Sequence, residues 1–259
     1  MIDMLGAIAG DVIGSVYEHN PIKTKEFPLF TESSRFTDDS VLTVAIAEAI
    51  LEERSYLSAL RTYARRHPDA GYGSHFWHWA HSNQNEAYNS WGNGSAMRVS
   101  PIGYACDSIE SVLVEAERTA CVTHDHPEGI KGAQATALAV HLARNGISKP
   151  KIRSELQIRF GYDLERRIDE IRPDYRFDVS CQGSVPEGII AFLESDDFED
   201  AVRNAVSLGG DSDTLACIAG GIASAYYGGV PGRIEQQTRT RLPDEFLHVI
   251  DAFNKRFPP

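Results

Sequence analysis

FTDDSVLTVAIAEAIL, residues 36–51, joins a hydroxyl and two adjacent carboxylates to a run that is apolar nearly all round. From Val41 to Leu51 the only charged residue is Glu48, too little polarity for a half-solvated face. Such a run reads as a helix buried on most sides. The same style recurs in residues 109–122, in GIKGAQATALAVHLA at 129–143 and in TLACIAGGIASAYY at 214–227. In DFEDAVRNAVSL, 197–208, the residues Phe198, Ala201, Val202, Ala205 and Val206 share one helical face. No period-2 strand and no hairpin turn stands out, so the chain reads as all-α.

Working outward, 259 residues suit one large core or two small ones. No linker rich in Gly, Ser and Pro divides them, and one domain over 1–259 is expected. The charged, Pro-bounded stretch KPKIRSELQIRFGYDLERRIDEIRPDYR, 149–176, reads as a solvated helical hairpin or insertion on its surface. The net charge of −12 argues against a binder of phosphate backbones but leaves a small anionic ligand open. Cys106, Cys121, Cys181 and Cys217 form no C-x-x-C pair and read as reduced thiols of a cytoplasmic protein. The apolar start MIDMLGAIAGDVIGSVYE has no Lys or Arg before Lys23 and is broken by Asp3 and Asp11, which argues against an export signal. No uninterrupted apolar run reaches ~18 residues, so no membrane span is expected.

Gly6, Gly10 and Gly14 recur every fourth residue and line one helical face. Each glycine costs about 1 kcal/mol relative to alanine in a helix interior, so three imply a tight helix crossing or a backbone close to a ligand. Asp38 and Asp39 beside Thr37 have a chemical counterpart in GGDSDTLACIAGG, 209–221, where Asp211, Asp213 and Thr214 precede another apolar helix. Asp and Thr are good N-caps, and acids favour a helix N-terminus. A cap uses one side-chain oxygen, whereas each cluster offers three side chains. Convergence of the clusters would gather four carboxylates, with only Arg35 nearby as a counter-charge, and two divalent cations would neutralise them. Oxygen-only ligation suits Mg²⁺ or Mn²⁺ rather than Zn²⁺. Asp211 and Asp213, two residues apart, converge only in an irregular turn, which Gly209 and Gly210 permit.

GAIAGDVIGSVYE, FTDDS, GNGSAMRVSPIG, THDHPEG and GGDSDTLACIAGG, in this order from residue 6 to about 228, together resemble the ADP-ribosylglycohydrolases. That family includes dinitrogenase-reductase-activating glycohydrolases and ADP-ribosyl-acceptor hydrolases. The resemblance implies an all-α fold, expected here as a single-domain orthogonal helical bundle around a central dinuclear Mg²⁺ or Mn²⁺ site. It implies metal ligation by Thr37, Asp38, Asp39, Asp211, Asp213 and Thr214, and marks Glu18 as an acid near the metals that gates substrate access. It further implies that NSWGNGSAMRVSPIG, 89–103, holds diphosphate and ribose, and that His124 lies near the distal ribose.

The residues of that loop carry a physical case of their own. Gly92, Asn93, Gly94 and Ser95 can turn successive N–H groups toward an anion, and a helix starting there adds its positive end. Trp91 is placed to stack a purine, and Ser90 and Met97 flank the turn; Arg98 suits either a phosphate or an internal carboxylate. Ser90 departs from the dinitrogenase-reductase branch, which carries an acid there, and matches some acceptor hydrolases. The departure leaves the proton donor and an arginine acceptor open. His126 has no assignment. His75, His78 and His81 do not share one helical face and read as packing and surface histidines.

The expected reaction is hydrolysis at C1″ of the distal ribose of an ADP-ribosylated acceptor, releasing ADP-ribose, with Glu18, Asp39 and Asp213 as the candidate catalytic bases that deprotonate the attacking water. Arginine, serine, nucleic-acid and small-molecule acceptors all remain open. A di-metal phosphohydrolase and a non-catalytic ADP-ribose-binding homologue are the alternatives. A cytoplasmic monomer is expected.

Overall fold

Fifteen helices carry the chain through the computed structural model, which describes residues 4–258; Asp3 lies outside the described residues. The first five are α1 (Leu5–Gly14), α2 (Asp38–Leu51), α3 (Tyr56–Arg66), α4 (Ser74–His81) and α5 (Gly94–Met97). Next come α6 (Ser100–Ala105), α7 (Ile109–Ala120), α8 (Pro127–Arg144), α9 (Lys149–Phe160) and α10 (Ile168–Ile171). The last are α11 (Cys181–Leu193), α12 (Phe198–Ser207), α13 (Ser212–Tyr227), α14 (Gly232–Arg239) and α15 (Asp244–Arg256). Among the described residues the only β pairing is an isolated antiparallel bridge between Gly92 and Ser180. The fold is all-α, and no described helix is long and apolar enough to cross a membrane.

The all-round apolar runs lie where their composition requires. α13 is central, packed on α1, α12, α11 and α8, and fourteen of its residues from Ser212 to Ala225 are buried. The glycine face of α1 is a helix crossing against α13. A Cβ on Gly6 would overlap the Ser224 side chain, one on Gly10 would stand 1.9 Å from the Ala216 carbonyl oxygen, and one on Gly14 would stand 2.6 Å from Asp213 Cα. Backbone therefore meets backbone, and the last of these contacts sets the height of Asp213 against the end of α1.

The charged stretch 149–176 forms α9, a connecting segment and the short α10. Ile152, Leu156, Leu164 and Ile168 are buried beneath it, and Arg166 reaches the buried Glu187 of α11 at 2.8 Å. Lys149 Nζ sits 4.9–5.5 Å from the ring centroids of Phe192, Tyr226 and Tyr227.

Candidate metal centre and substrate cleft

Two helix starts face each other. Thr37 is the N-cap of α2, in extended backbone, and its hydroxyl oxygen accepts from the Asp39 N–H at 3.3 Å. Asp39 Oδ2 accepts from the Thr214 hydroxyl of α13 at 3.3 Å and lies 3.5 Å from the Thr37 hydroxyl. Asp39 Oδ1 is buried with no hydrogen-bond partner among the described residues. A buried carboxylate oxygen left without a donor is costly in a low-dielectric interior.

Asp211 stands at the N-cap of α13 yet makes no capping bond. Gly209, at φ +64°, turns the chain so that Asp211 stays outside the helix while Asp213 lies in its first turn. The Asp211 carboxylate instead accepts from Asn93 Nδ2 at 2.7 Å. Glu18, Asp211 and Asp213 each bring an oxygen to a cluster whose members all lie within 4.8 Å of one another. Thr37 thus caps its helix, whereas Asp211 is aimed into a shared acidic space.

Burial pushes the Asp38, Asp39 and Asp211 carboxyls well above the usual carboxylate range, and the charge of Asp213 pushes them further. Asp213 is raised by burial and then by Glu18. Groups this close cannot all ionise without a counter-charge. Six side chains offering only carboxylate and hydroxyl oxygens, one oxygen orphaned, fit hard divalent cations. Such a cation would reverse these shifts.

Asp11 belongs to the site and is absent from the set read from the sequence. It is fully buried on α1 and accepts from Thr37 N at 3.0 Å, Thr37 Oγ1 at 2.7 Å and Ser40 N at 3.0 Å, as well as from the Ser40 hydroxyl. By accepting the Thr37 hydroxyl's hydrogen bond it leaves that oxygen, which also accepts from Asp39 N, one lone pair for a cation. Burial and the charge of Asp213 push its carboxyl up to about 7 against these donors. The signal was an acid inside an otherwise apolar helix.

On the other wall, the Ser90 hydroxyl accepts from Gly92 N at 3.1 Å, and Asn93 N donates to Val179 O at 2.7 Å. Gly92 and Asn93 therefore spend their N–H groups inside the protein. Among the described residues the N–H groups of Gly94 and Ser95, opening α5, make no backbone hydrogen bond outside it, so the expected nest narrows to these two donors. The Ser95 hydroxyl donates to Gly129 O at 2.7 Å and faces inward. Met97 is buried, with its sulfur 3.9 Å from the Thr214 hydroxyl. Trp91 is 48% exposed, and its carbonyl accepts from the Cys181 N–H at 2.9 Å. His124 is buried against the turn, its Nε2 standing 3.1 Å from where a Gly94 Cβ would be.

Arg98 fits neither expectation, phosphate or carboxylate. It is wholly buried and donates to Thr119 O and Thr123 Oγ1 at 3.0 and 2.9 Å. His126 caps α8, its Nδ1 accepting from Glu128 N at 3.1 Å. His81 stacks on Trp77 at 4.3 Å and pairs with the Trp77 carbonyl.

A family model described as ADP-ribosylglycohydrolase matches residues 4–257. An ADP-ribosylhydrolase ARH3 of Xenopus tropicalis is 28% identical over 87% of this chain and 86% of its own length. The ADP-ribosylhydrolase ARH3 of Mus musculus is 26% identical over 87% and 82%. An ADP-ribosylarginine hydrolase Tri1 of Pseudomonas putida is 26% identical over 87% and 69%. A solved chain titled ADP-ribosylglycohydrolase-related protein complex superposes with a TM-score of 0.72 at 24% identity, covering 97% of this chain and 96% of that one, a likeness of fold.

Proposed function

The chain belongs to the ADP-ribosylglycohydrolase family, and from that premise we propose that it is a metal-dependent hydrolase that removes ADP-ribose from a modified acceptor by water attack at C1″ of the distal ribose. The observation that carries this reading is the meeting of the two helix starts, where Asp39 accepts from Thr214 beside the Glu18–Asp211–Asp213 oxygen cluster.

Thr37, Asp38, Asp39, Asp211, Asp213 and Thr214 would hold two divalent cations, Mg²⁺ or Mn²⁺. When bound, such ions neutralise the carboxylates, fix vicinal hydroxyls of a sugar and acidify water. Asp11 and Asn93 hold two of these ligands in place, through Thr37 and Asp211 respectively. Glu18 differs from its neighbours in keeping a side chain 24% exposed at the mouth of the cluster. That position favours Glu18 as the base that takes the proton of the attacking water, with Asp39 and Asp213 committed to the centre. The free N–H groups of Gly94 and Ser95 would receive a diphosphate oxygen, and Trp91 would stack the adenine. Holding the sugar at one end and the purine at the other presents C1″ to water in a fixed orientation.

The test is a panel of defined ADP-ribosylated substrates, with arginine, serine, nucleic-acid and O-acetyl linkages, incubated with Mg²⁺ or Mn²⁺. Mass spectrometry should detect free ADP-ribose from at least one member, and EDTA should abolish its release. Release of phosphate or AMP instead would make the protein a phosphohydrolase. Tight ADP-ribose binding with no turnover on any member would make it a reader.

A further inference from the structure

Arg98 is the largest side chain wholly removed from solvent, and among the described residues it forms no salt bridge, the Asp38 carboxylate acting on it only at longer range. A guanidinium only donates. Its Nη2 is committed to the Thr119 carbonyl and the Thr123 hydroxyl, while Nε and Nη1 have no partner. Holding a buried guanidinium this way is expensive, and stability alone would be served by an apolar side chain.

Thr123, also fully buried, places Oγ1 2.7 Å from His124 Nδ1. The direction of that bond follows from Arg98. Oγ1 accepts from the guanidinium at 2.9 Å, and among the described residues His124 Nδ1 is the one acceptor hydrogen-bonded to it that can take its proton. A buried hydroxyl proton needs an acceptor, so the hydroxyl sends its single proton to Nδ1. An imidazole that accepts at Nδ1 carries its proton on Nε2. Nε2 makes no hydrogen bond among the described residues and lies against the Gly92–Gly94 turn, 3.1 and 3.6 Å from the positions a Cβ would take on Gly94 and Gly92. Burial, then the Arg98 charge, holds the imidazole well below its usual pKa, so it stays neutral.

We propose that Arg98 and Thr123 are positioning residues that fix His124 as the Nε2–H tautomer, so that the ring donates one hydrogen bond to a hydroxyl or phosphate oxygen of the ligand in the Gly92–Gly94 turn. His124 is then a donor, never a base. The ligand's identity rests on the ADP-ribose reading; the tautomer does not.

The experiment uses the full chain with ¹⁵N-labelled histidine. Ring nitrogen shifts of His124 should show Nε2–H in the wild type and in Thr123→Ser, and a mixture of tautomers in Thr123→Val. ADP-ribose affinity, titrated calorimetrically with Mg²⁺, should fall about three- to tenfold in Thr123→Val, the range of one neutral hydrogen bond, and recover in Thr123→Ser. An Nδ1–H ring in the wild type, or a tautomer that Thr123→Val leaves unchanged, overturns the relay. An Nε2–H ring that shifts in Thr123→Val, in a wild type that fails to bind ADP-ribose, sustains the relay and overturns the ligand.

Discussion

Gly10→Ala should destabilise the protein, although helix propensity favours alanine by about 1 kcal/mol. The new Cβ would stand 1.9 Å from the Ala216 carbonyl oxygen and 2.8 Å from Cys217 N, both backbone atoms that cannot rotate aside. Ordinary contact begins at 3.4 Å, so α1 and α13 would have to part by roughly 1.5 Å (3.4 − 1.9) at this point. Overpacking of a rigid interior costs about 1–3 kcal/mol, and backbone resistance puts this case at the upper end. Subtracting the propensity gain leaves about 1–2 kcal/mol, or a fall of about 2–8 °C in Tm for a chain of this size. The same parting would lift Asp11 and Glu18 away from Asp213, so Mn²⁺ affinity should fall as well. Urea unfolding in EDTA measures the first effect and calorimetric titration of Mn²⁺ the second. A Gly10→Ala protein as stable as the wild type, with unchanged Mn²⁺ affinity, would refute the claim that backbone contact at this crossing sets the site.

Asp11→Asn keeps the shape but removes an anionic acceptor from four donors, and Mn²⁺ affinity should drop by about 10–100-fold, as for other partners that orient metal ligands; titration calorimetry checks it. Trp91→Ala should weaken ADP-ribose binding by about 1–3 kcal/mol with little change in Tm, because the ring is half-exposed, whereas ribose should bind both proteins equally. The pH dependence follows from carboxyls raised by burial: the metal-free native state keeps protons that the unfolded chain releases near pH 4. That contribution is complete below about pH 4 and is lost as pH rises through the folded-state values, to about 7 for Asp11. Cations favour the ionised forms, so the Tm difference between Mn²⁺-loaded and EDTA-treated protein should widen from pH 5 to pH 8; a constant difference in thermal melts would count against a carboxylate centre.

Helices α2, α8 and α13 were legible because helices buried on several sides carry long apolar runs that no strand pattern imitates. The acids were legible because two clusters exceeded what capping uses. Asp11 escaped because one acid among apolar neighbours has no periodicity, and its partners Thr37 and Ser40 lie across a loop. Arg98 was placed at a ligand or an ion pair because a buried guanidinium with neither is rare, and only the tertiary path to Thr123 and His124 gives it a role. The glycine spacing was readable as a close crossing, but its partner on α13 was not, since that contact joins opposite ends of the chain.

Those opposite ends also impose a schedule on synthesis. Asp39 meets Thr214 across 175 residues, and α1 meets α13 across a similar span. At a translation rate of about 5–20 residues per second, roughly 9–35 s separate the two halves of the site as they leave the ribosome. Throughout that interval α1 can meet α2 but its bare glycine face lacks its α13 partner, which makes it a natural client for a holding chaperone. Contacts this distant in sequence also slow folding after release. A nascent chain stalled short of Asp211 would hold the first acidic cluster alone and should bind no divalent cation tightly.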